Sequence, residues 1–287
     1  MTQDTRESVP PPSDALPSFR PPAPRAPAPL LAAWSERLSA FVEAMGGIGI
    51  LAGRTLTSLP RRPFETAATI YQIEALGVRS VGIVAVSSIF VGMVMTVQFA
   101  YGLQRFGGLE YIPRVVILAF VRELGPTLMA IIVGGRIGSG IAAEVGAMNV
   151  TEQVDAIRAL GGEPAKKLVL PRVAAAMIVL PLLSVISDTL GTLGALLVAS
   201  AEYGIGPRLF AQSALETVRL SDLFSGLAKT PIFGFIIAIV GCHFGLTTTG
   251  GTEGVGRSTT RTVVAVSIAI LVADFFLTRI FVSALPG

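Results

Sequence analysis

The sequence predicts an all-α integral membrane protein in which five transmembrane helices follow an amphipathic interfacial helix. Of its 287 residues, 52% are hydrophobic and only 14% are charged, which is unlike the composition of a soluble domain. The apolar residues also lie in long blocks, and the clearest block, Val81–Leu103, contains no charged residue. At about 1.5 Å per residue, a helix of that length is longer than a hydrocarbon core of about 30 Å.

The first 33 residues differ in composition from the rest of the chain. Nine of the 19 prolines precede Leu31, among alanine, serine and arginine residues. Such a segment buries too little apolar area to offset the entropy lost on ordering it. It lacks the apolar region of a secretory signal, and its acidic residues are untypical of an organelle transit peptide. We predict that residues 1–33 form a disordered, proline-rich cytoplasmic tail.

Residues 34–77 are predicted to form amphipathic interfacial helices. Apolar residues recur with the period of one helix face, at Trp34, Leu38, Phe41, Met45, Ile48 and Ala52. A helix of this kind lies in the membrane interface, unless it packs on the membrane domain as a soluble helix. The sequence Pro-Arg-Arg-Pro at 60–63 ends this helix, and a second short helix is expected to run to Gly77.

Residues 78–287 are predicted to form a transmembrane domain of five helices. The predicted spans are Val81–Leu103, Val115–Ala143, Val173–Ala201, Leu223–Thr249 and Thr262–Val282. The second span is the least typical, because Arg122, Glu123 and Arg136 interrupt its apolar run. In the fourth span, small residues recur every four positions from Gly226 to Cys242, which is typical of a close contact between helices.

The basic residues collect on one side of the predicted spans. That side carries Arg37, Arg54, Arg61, Arg62, Arg79, Arg158, Lys166, Lys167, Arg172, Arg257 and Arg261. The other side carries Arg105, Arg114, Arg208 and Arg219. Because Lys and Arg are retained on the cytoplasmic side, we predict a cytoplasmic N-terminus and a C-terminus outside. This asymmetry accounts for the net charge of +3, so no nucleic-acid partner is expected.

The stretch Gly250–Thr259, GGTEGVGRST, has the glycine spacing of a phosphate-binding loop. Such a loop follows a β-strand and carries a lysine that reaches the terminal phosphates, whereas here Arg257 stands between two transmembrane helices. We therefore predict that the chain is not an enzyme and holds no cofactor, and its lone Cys242 excludes a Cys-based metal site. The glycines are expected to form a tight cytoplasmic turn, with Ser258 or Thr259 capping the last span.

A short helix is predicted at about 149–161, in the longest internal cytoplasmic loop. Asn149 can cap it while Glu152 reaches back to the backbone of the cap, and Gly161 with Gly162 stops it. One face of this helix carries Val150, Val154, Ile157 and Leu160, and the polar residues lie elsewhere. This apolar face either packs on the chain's own membrane domain or forms a coupling helix that sits in a groove of a partner ATPase.

The run Phe120–Arg172 resembles the signature region of the MlaE/YrbE family, the permease subunits of ABC transporters that move phospholipids or other lipids. The matching residues are Glu123-Leu124-Gly125-Pro126, Arg136, Glu144, Gly146, Met148, Thr151-Glu152, Asp155-Ala156, Leu160-Gly161 and Pro171-Arg172. The stretch Gly250–Thr260 also resembles a family motif, and the similarity covers the chain from about Trp34 to the end. The proline-rich tail has no counterpart.

The resemblance implies a homodimer of five-helix permeases in the bacterial inner (cytoplasmic) membrane. It also implies two ATPase subunits on the cytoplasmic side, which hold the ATP and Mg, and MCE-domain lipid-binding proteins on the outer side. The family's coupling helix corresponds to Val150, Glu152, Val154, Asp155, Ile157, Arg158 and Leu160. Its phospholipid cavity lies at the dimer interface near the outer leaflet, and the matching positions Arg122 and Glu123 are expected close to it.

Arg122 and Glu123 are candidate functional residues on physical grounds as well. A charge in the bilayer centre costs at least about 2.5 kcal/mol unless it is turned inward or paired. An arginine fork suits a lipid phosphate, but the pair can also form a clamp between helices with Asp188 or Asp274. A second function stays open, an ion-coupled secondary transporter that uses these four residues and Lys229. Five spans do not divide into the equal halves of an inverted repeat, which favours the ABC permease.

Overall fold

Helices form almost the whole of the described chain. The computed structural model describes residues 30–58 and 65–284. Its α-helices are α1 Leu30–Ser58, α2 Thr66–Ile73, α3 Arg79–Gln104, α4 Ile112–Ala119, α5 Met129–Val150, α6 Gln153–Ala159, α7 Leu170–Tyr203, α8 Pro207–Thr217, α9 Leu220–Leu246 and α10 Gly251–Ala284. Wider, π-helical segments occur at Glu74–Val78, Phe120–Leu128 and Ala165–Val169. No β-strand occurs in these two ranges, and the predicted all-α class is confirmed.

Within residues 30–58 and 65–284, five helical runs are long and apolar enough to cross a membrane, as predicted. They are Thr66–Gln104, Leu109–Val150, Ala165–Tyr203, Leu220–Leu246 and Gly251–Ala284, the first to the fifth span. Most extend beyond the predicted apolar blocks, because helix continues into the polar residues at the ends. The fourth span instead ends before the predicted Thr249. The hydroxyl groups of Thr247 and Thr248 donate to the carbonyls of His243 and Phe244, and the chain then turns at Gly250.

The segment before the first span differs from its prediction. The short helix expected to stop at Gly77 continues without a break, because the π-helical segment Glu74–Val78 joins α2 directly to α3. Gly77 does not adopt the left-handed conformation that ends many helices. It packs against Val179, since a Cβ added to Gly77 would lie 3.4 Å from Cγ2 of that residue. The predicted tail, residues 1–33, lies outside the described residues except for the helical backbone from Leu30, and so does the Pro-Arg-Arg-Pro sequence.

By its internal contacts the chain divides into two units, Met1–Ala44 and Met45–Gly287. In the first unit, the structure describes the helical backbone from Leu30 onward. The second unit contains the rest of α1 and all five spans. Within this second unit, Ile48 and Ala52 of the predicted apolar face pack against the main hydrophobic core, while Met45 is largely exposed.

Glycines bring the first and third spans into backbone contact. A Cβ added to Gly92 would collide with the carbonyl oxygen of Gly191, and one added to Gly194 would collide with that of Ile89. These contacts leave no room for a side chain, so the two helices can pack this closely only with glycine at these positions.

The small residues of the fourth span also pack against other helices of the same chain. A Cβ on Gly226 would meet the carbonyl of Val121, and one on Gly234 would meet that of Ala176. The predicted close helix contact is confirmed, and its partners are the second and third spans.

The spans define two ends of the bundle. At one end, the Asn149 side-chain amide donates a hydrogen bond of 3.0 Å to the Thr248 carbonyl; this end also carries α6 and is called the α6 end. At the opposite end, Arg114 lies 3.2 Å from Glu216 of α8; this is the α8 end. Sequence reasoning did not predict α8.

The glycine-rich stretch 250–259 is mostly helix. Only Gly250 and Gly251 have positive φ angles, of 87° and 68°, and α10 begins at Gly251. The prediction that Ser258 or Thr259 caps the last span is therefore wrong. Both residues lie two turns inside α10, because the turn needs only the first two glycines, and the Ser258 hydroxyl bonds to that of Thr248 at 2.8 Å.

Candidate functional site

A buried lysine joins three spans at the centre of the candidate site. Lys229 of the fourth span has only 1% of its side chain exposed. Its ammonium Nζ lies 2.8 Å from Oε2 of Glu123 in the second span and 3.2 Å from Oδ1 of Asp274 in the fifth. An unpaired ammonium in a membrane-spanning helix is strongly unfavourable, so these carboxylates are what allow Lys229 to be buried.

Two further oxygens complete the surroundings of this ammonium group. Lys229 donates to the Thr278 hydroxyl at 2.7 Å and to the Arg122 carbonyl at 3.3 Å. The Thr278 hydroxyl in turn donates to Oε1 of Glu123 at 3.1 Å. We call Glu123, Lys229, Asp274 and Thr278 the ion cluster. It contains two carboxylates and one ammonium group, so its formal charge is negative.

The Arg122 carbonyl lies in a widened part of the second span. Phe120–Leu128 forms a π-helical segment with Pro126 inside it. In a π-helix each backbone N–H bonds to the carbonyl five residues earlier, and because proline has no N–H, this segment lacks one of its internal hydrogen bonds. The Arg122 carbonyl, in the same segment, accepts a hydrogen bond from Lys229. Widened turns of this kind are frequent at functional sites, because they change the direction of the side chains they carry.

Arg122 makes a separate contact with the start of the fourth span. Its Nε lies 3.4 Å from Oδ1 of Asp222, and the other oxygen of this carboxylate accepts a hydrogen bond of 2.9 Å from the backbone N–H of Arg219. Asp222 therefore both caps α9 and holds the Arg122 guanidinium.

A cavity of about 540 Å³ opens beside the ion cluster, and we call it the Glu123 cavity. It is lined by Glu123, Leu271, Asp274, Phe275, Thr278, Arg279, Val282 and Ser283. All but the first of these residues belong to α10. Arg279 has no ion-pair partner within the described part of the chain, so its charge is available to a ligand in this cavity.

The structure separates the two residues predicted to bind substrate. Glu123 lines the cavity, whereas Arg122 is not among the lining residues and pairs with Asp222. Of the two alternative clamp partners, Asp274 shares Lys229 with Glu123. Asp188 joins neither residue, and its Oδ1 has no hydrogen-bond partner among the described residues.

Sequence reasoning missed the contributions of Asp222, Thr278 and Arg279. In the sequence, Arg279 stands out only as a charge in the last apolar block, and the uncharged Thr278 gives no comparable indication. The spacing of Thr278 and Asp274 could have indicated that the two act together, since residues four apart share one helix face. The position of Asp222 near a helix start was a weaker indication, because acidic residues there favour capping.

At the opposite end of the bundle, the predicted coupling helix is shorter than expected. α6 runs from Gln153 to Ala159, and its N-cap is Glu152. The prediction that Asn149 caps the helix and Glu152 reaches back is wrong. Asn149 lies in the last turn of α5, and its amide bonds to Thr248 instead. Glu152 has a left-handed backbone, with φ of 61°, and makes no side-chain cap.

The end of α6 follows its prediction. Gly161 has φ of 75°, its N–H donates to the Arg158 carbonyl, and the Gly162 N–H donates to that of Ile157 at 2.9 Å. This pair of hydrogen bonds is the Schellman motif, in which glycine takes the left-handed position.

The predicted apolar face of α6 is divided between the interior and the surface. Val154 is fully buried and Ile157 is half-buried, so part of the face packs on the chain itself. Leu160, in contrast, is 88% exposed, and Val150 at the end of α5 is 37% exposed. Asp155 and Arg158 pair with each other at 2.7 Å on the exposed surface.

Comparison with known proteins identifies the family. Residues 69–280 match the family described as Permease MlaE. A probable ABC transporter permease protein of Synechocystis is 42% identical over 249 residues, which cover 86% of this chain and 91% of the relative. One from Rickettsia felis is 38% identical over 246 residues, with 86% and 95% covered. Protein TRIGALACTOSYLDIACYLGLYCEROL 1, chloroplastic, of Arabidopsis thaliana is 40% identical over 234 residues, with 82% and 67% covered. This chain therefore belongs to the MlaE permease family, as its sequence motifs indicated.

Proposed function

We propose that this chain is the membrane subunit of an ATP-driven phospholipid transporter and works as a homodimer in the bacterial cytoplasmic membrane. The observation that carries the proposal is the ion cluster, which fixes Glu123 and α10 around a cavity. This cavity is lined by Arg279, which has no ion-pair partner among the residues that the structure describes. The family supplies the general class, an ABC transporter permease.

The chemistry of the Glu123 cavity favours a phospholipid as the cargo. Leu271, Phe275 and Val282 offer an apolar wall for acyl chains, and Arg279 offers a guanidinium fork to a phosphate. The Arabidopsis relative carries the name of a diacylglycerol lipid, which is also consistent with lipid cargo. We infer that Glu123 and Arg279 contact the headgroup, while Arg122 positions the π-helical segment through Asp222.

A second copy of the chain is proposed to close the Glu123 cavity. The fifth span is the least buried of the five spans, and its exposed residues include Phe275 and Phe276. α10 also supplies nearly all of the cavity lining. A partner copy that packs along α10 would turn the open cavity into an enclosed one near the predicted outer leaflet.

The α6 end is proposed as the contact for a separate ATPase, which holds the ATP and Mg. Leu160 and Val150 present apolar surface there, beside the exposed pair Asp155 and Arg158. The backbone of Glu152 is left-handed, a conformation that is unfavourable by about 1 kcal/mol for any residue other than glycine. Residues held in such unfavourable conformations cluster at functional sites, and this supports the proposed role of the α6 end. We further propose that an MCE-domain protein receives or supplies lipid at the α8 end.

Ion-coupled transport is disfavoured, because the chain belongs to a family of ABC transporter permeases. The geometry also weakens it, since Arg122 and Asp188 do not join the cluster of Glu123, Lys229 and Asp274.

Native mass spectrometry of the detergent-purified complex tests the lipid site. We expect the wild-type chain to retain phospholipid and Arg279→Ala to retain about tenfold less, the effect of one lost charge-assisted hydrogen bond. Arg208→Ala is the matched control, because Arg208 is exposed at the α8 end and does not line the cavity. Equal lipid retention by Arg279→Ala and the wild type would rule out this site.

A further inference from the structure

The described chain has a second large cavity, at the α6 end. Its volume is about 890 Å³, and residues of the first, second and fifth spans line it. It shares no lining residue with the Glu123 cavity. We call it the Arg79 cavity, because Arg79 and Arg136 both line it.

Arg136 is held in this cavity by a buried hydroxyl group. Its Nη1 donates a hydrogen bond of 2.7 Å to the hydroxyl oxygen of Ser80, which is fully buried. The Ser80 hydroxyl donates in turn to the Leu76 carbonyl at 2.6 Å. One nitrogen of the guanidinium is therefore fixed, and its other N–H groups have no partner in the described ranges.

The charge of the Arg79 cavity is positive. The side chain of Arg79 has no hydrogen bond or ion pair with any residue that the structure describes. Glu144 is the one carboxylate in the lining, and its Oε1 lies 2.8 Å from the buried guanidinium of Arg172 outside the cavity. Glu144 is thus already neutralised, and two guanidinium groups remain for an anionic ligand.

The rest of the lining suits a molecule that is partly apolar. Leu76, Ile137, Ile141 and Val263 form apolar walls, and the amide of Gln72 and the hydroxyl of Thr260 add polar groups. The lining residues lie within a few turns of the ends of their spans, where lipid headgroups meet the acyl region. A free phosphate would leave the apolar walls unused, whereas a phospholipid would occupy both parts.

We propose that the Arg79 cavity binds a phospholipid from the leaflet at the α6 end, with its phosphate held between Arg79 and Arg136. This site is separate from the transport cavity. Its occupancy does not depend on which molecule the chain transports, so the two proposals can fail independently.

Site-specific photo-crosslinking tests this proposal in the complete assembly. A benzophenone amino acid at Thr260 lies in the lining, and one at Phe90 lies on exposed first-span surface that lines neither cavity. Both are expected to crosslink phospholipid in the membrane, identified from the mass of the adduct. Only the Thr260 adduct should depend on the arginines, and Arg79→Ala with Arg136→Ala should lower it about tenfold. Excess inorganic phosphate should leave it unchanged.

Arg261→Ala is the control for general electrostatics, since Arg261 is exposed near the same end and does not line the cavity. Arg79→Ala alone is the control for misfolding, because the Arg79 side chain makes no hydrogen bond or ion pair with the described residues. This single replacement should lower the adduct in part. The proposal is overturned if the Thr260 adduct survives the double replacement or if Arg261→Ala lowers it equally. Loss of the adduct in excess phosphate would also overturn it, by assigning the site to a soluble phosphate.

Discussion

The ammonium group of Lys229 lies 2.8 Å from a carboxylate oxygen of Glu123, although 106 positions separate the two residues in the chain. Asp274 approaches the same ammonium group to 3.2 Å. One buried cation thereby connects the second, fourth and fifth spans beside the Glu123 cavity. We expect this link between three spans to contribute to the stability of the protein and to transport through the cavity.

Replacement of Lys229 by methionine should destabilise the protein. Without the ammonium group, Glu123 and Asp274 repel each other and lose their shared partner. Breaking a buried pair costs about 3 kcal/mol or more, and we expect about 3 kcal/mol, because Glu123 is 40% exposed and partly screened. Thermal unfolding in detergent measures this loss. Lys229→Met with Asp274→Asn should recover part of it, and a Lys229→Met variant as stable as the wild type would show that the cluster is not structural.

Replacement of Gly92 by alanine should separate the first and third spans. The new Cβ would collide with the Gly191 carbonyl, which belongs to helix backbone and cannot move aside by rotation. We expect a loss of about 1–3 kcal/mol, as for overpacking in a core. Gly82→Ala in the same helix is the matched control, since nothing lies within 4 Å of its Cβ position. If the two variants have equal melting temperatures, the backbone contact is not as close as described.

Replacement of the exposed Leu160 should weaken binding of the ATPase without changing the stability of the fold. Leu160→Asp places a charge on the surface proposed to meet the partner, and we expect the ATPase no longer to co-purify with the tagged chain. Melting temperature should be unchanged, because Leu160 is 88% exposed. Leu215→Asp is the control: Leu215 is 84% exposed on α8 at the other end, and its replacement should leave the ATPase bound. Retention of the ATPase by Leu160→Asp would exclude this surface as the coupling site.

Local patterns predicted the parts of the fold that depend on local physics. The apolar blocks predicted all five spans, and Gly161 predicted the end of α6, because a left-handed glycine ends a helix through bonds to its own last turn. The start of α6 was mispredicted because the side chain of Asn149 bonds to Thr248, a partner 99 positions away. A capping pattern in the sequence, which concerns the amide oxygen, cannot show that the NH₂ group of the same side chain is directed to so distant an acceptor.

The sequence predicted which charged residues could form the candidate site, but not how they pair. A charge within an apolar block indicates a paired or inward-facing residue, and this brought Arg122, Glu123, Lys229 and Asp274 to attention. Which of them pair depends on how the spans rotate and on the widened turns around Pro126. Those turns depend on packing between spans, and the sequence shows no period that specifies them.

A homodimer that packs along α10 should bring two copies of Phe275 together. With Cys242, the lone cysteine, replaced by alanine, Phe275→Cys is expected to form a disulfide-linked dimer on mild oxidation in membranes. Leu197→Cys is the matched control, as Leu197 is 57% exposed on α7 toward the same end of the bundle. Gel electrophoresis without reductant measures the crosslink. A dimer with Leu197→Cys and none with Phe275→Cys would move the interface away from α10.

We propose that ATP hydrolysis by a separate subunit moves phospholipid through the cavity at Glu123. The most direct measurement is the transfer of a labelled phospholipid by the complete assembly in proteoliposomes, with and without ATP. We expect ATP-dependent transfer by the wild type and its loss in Glu123→Ala, while the variant still assembles with its ATPase. Normal transfer by Glu123→Ala, or transfer by this chain alone in an ion gradient without ATP, would contradict the account.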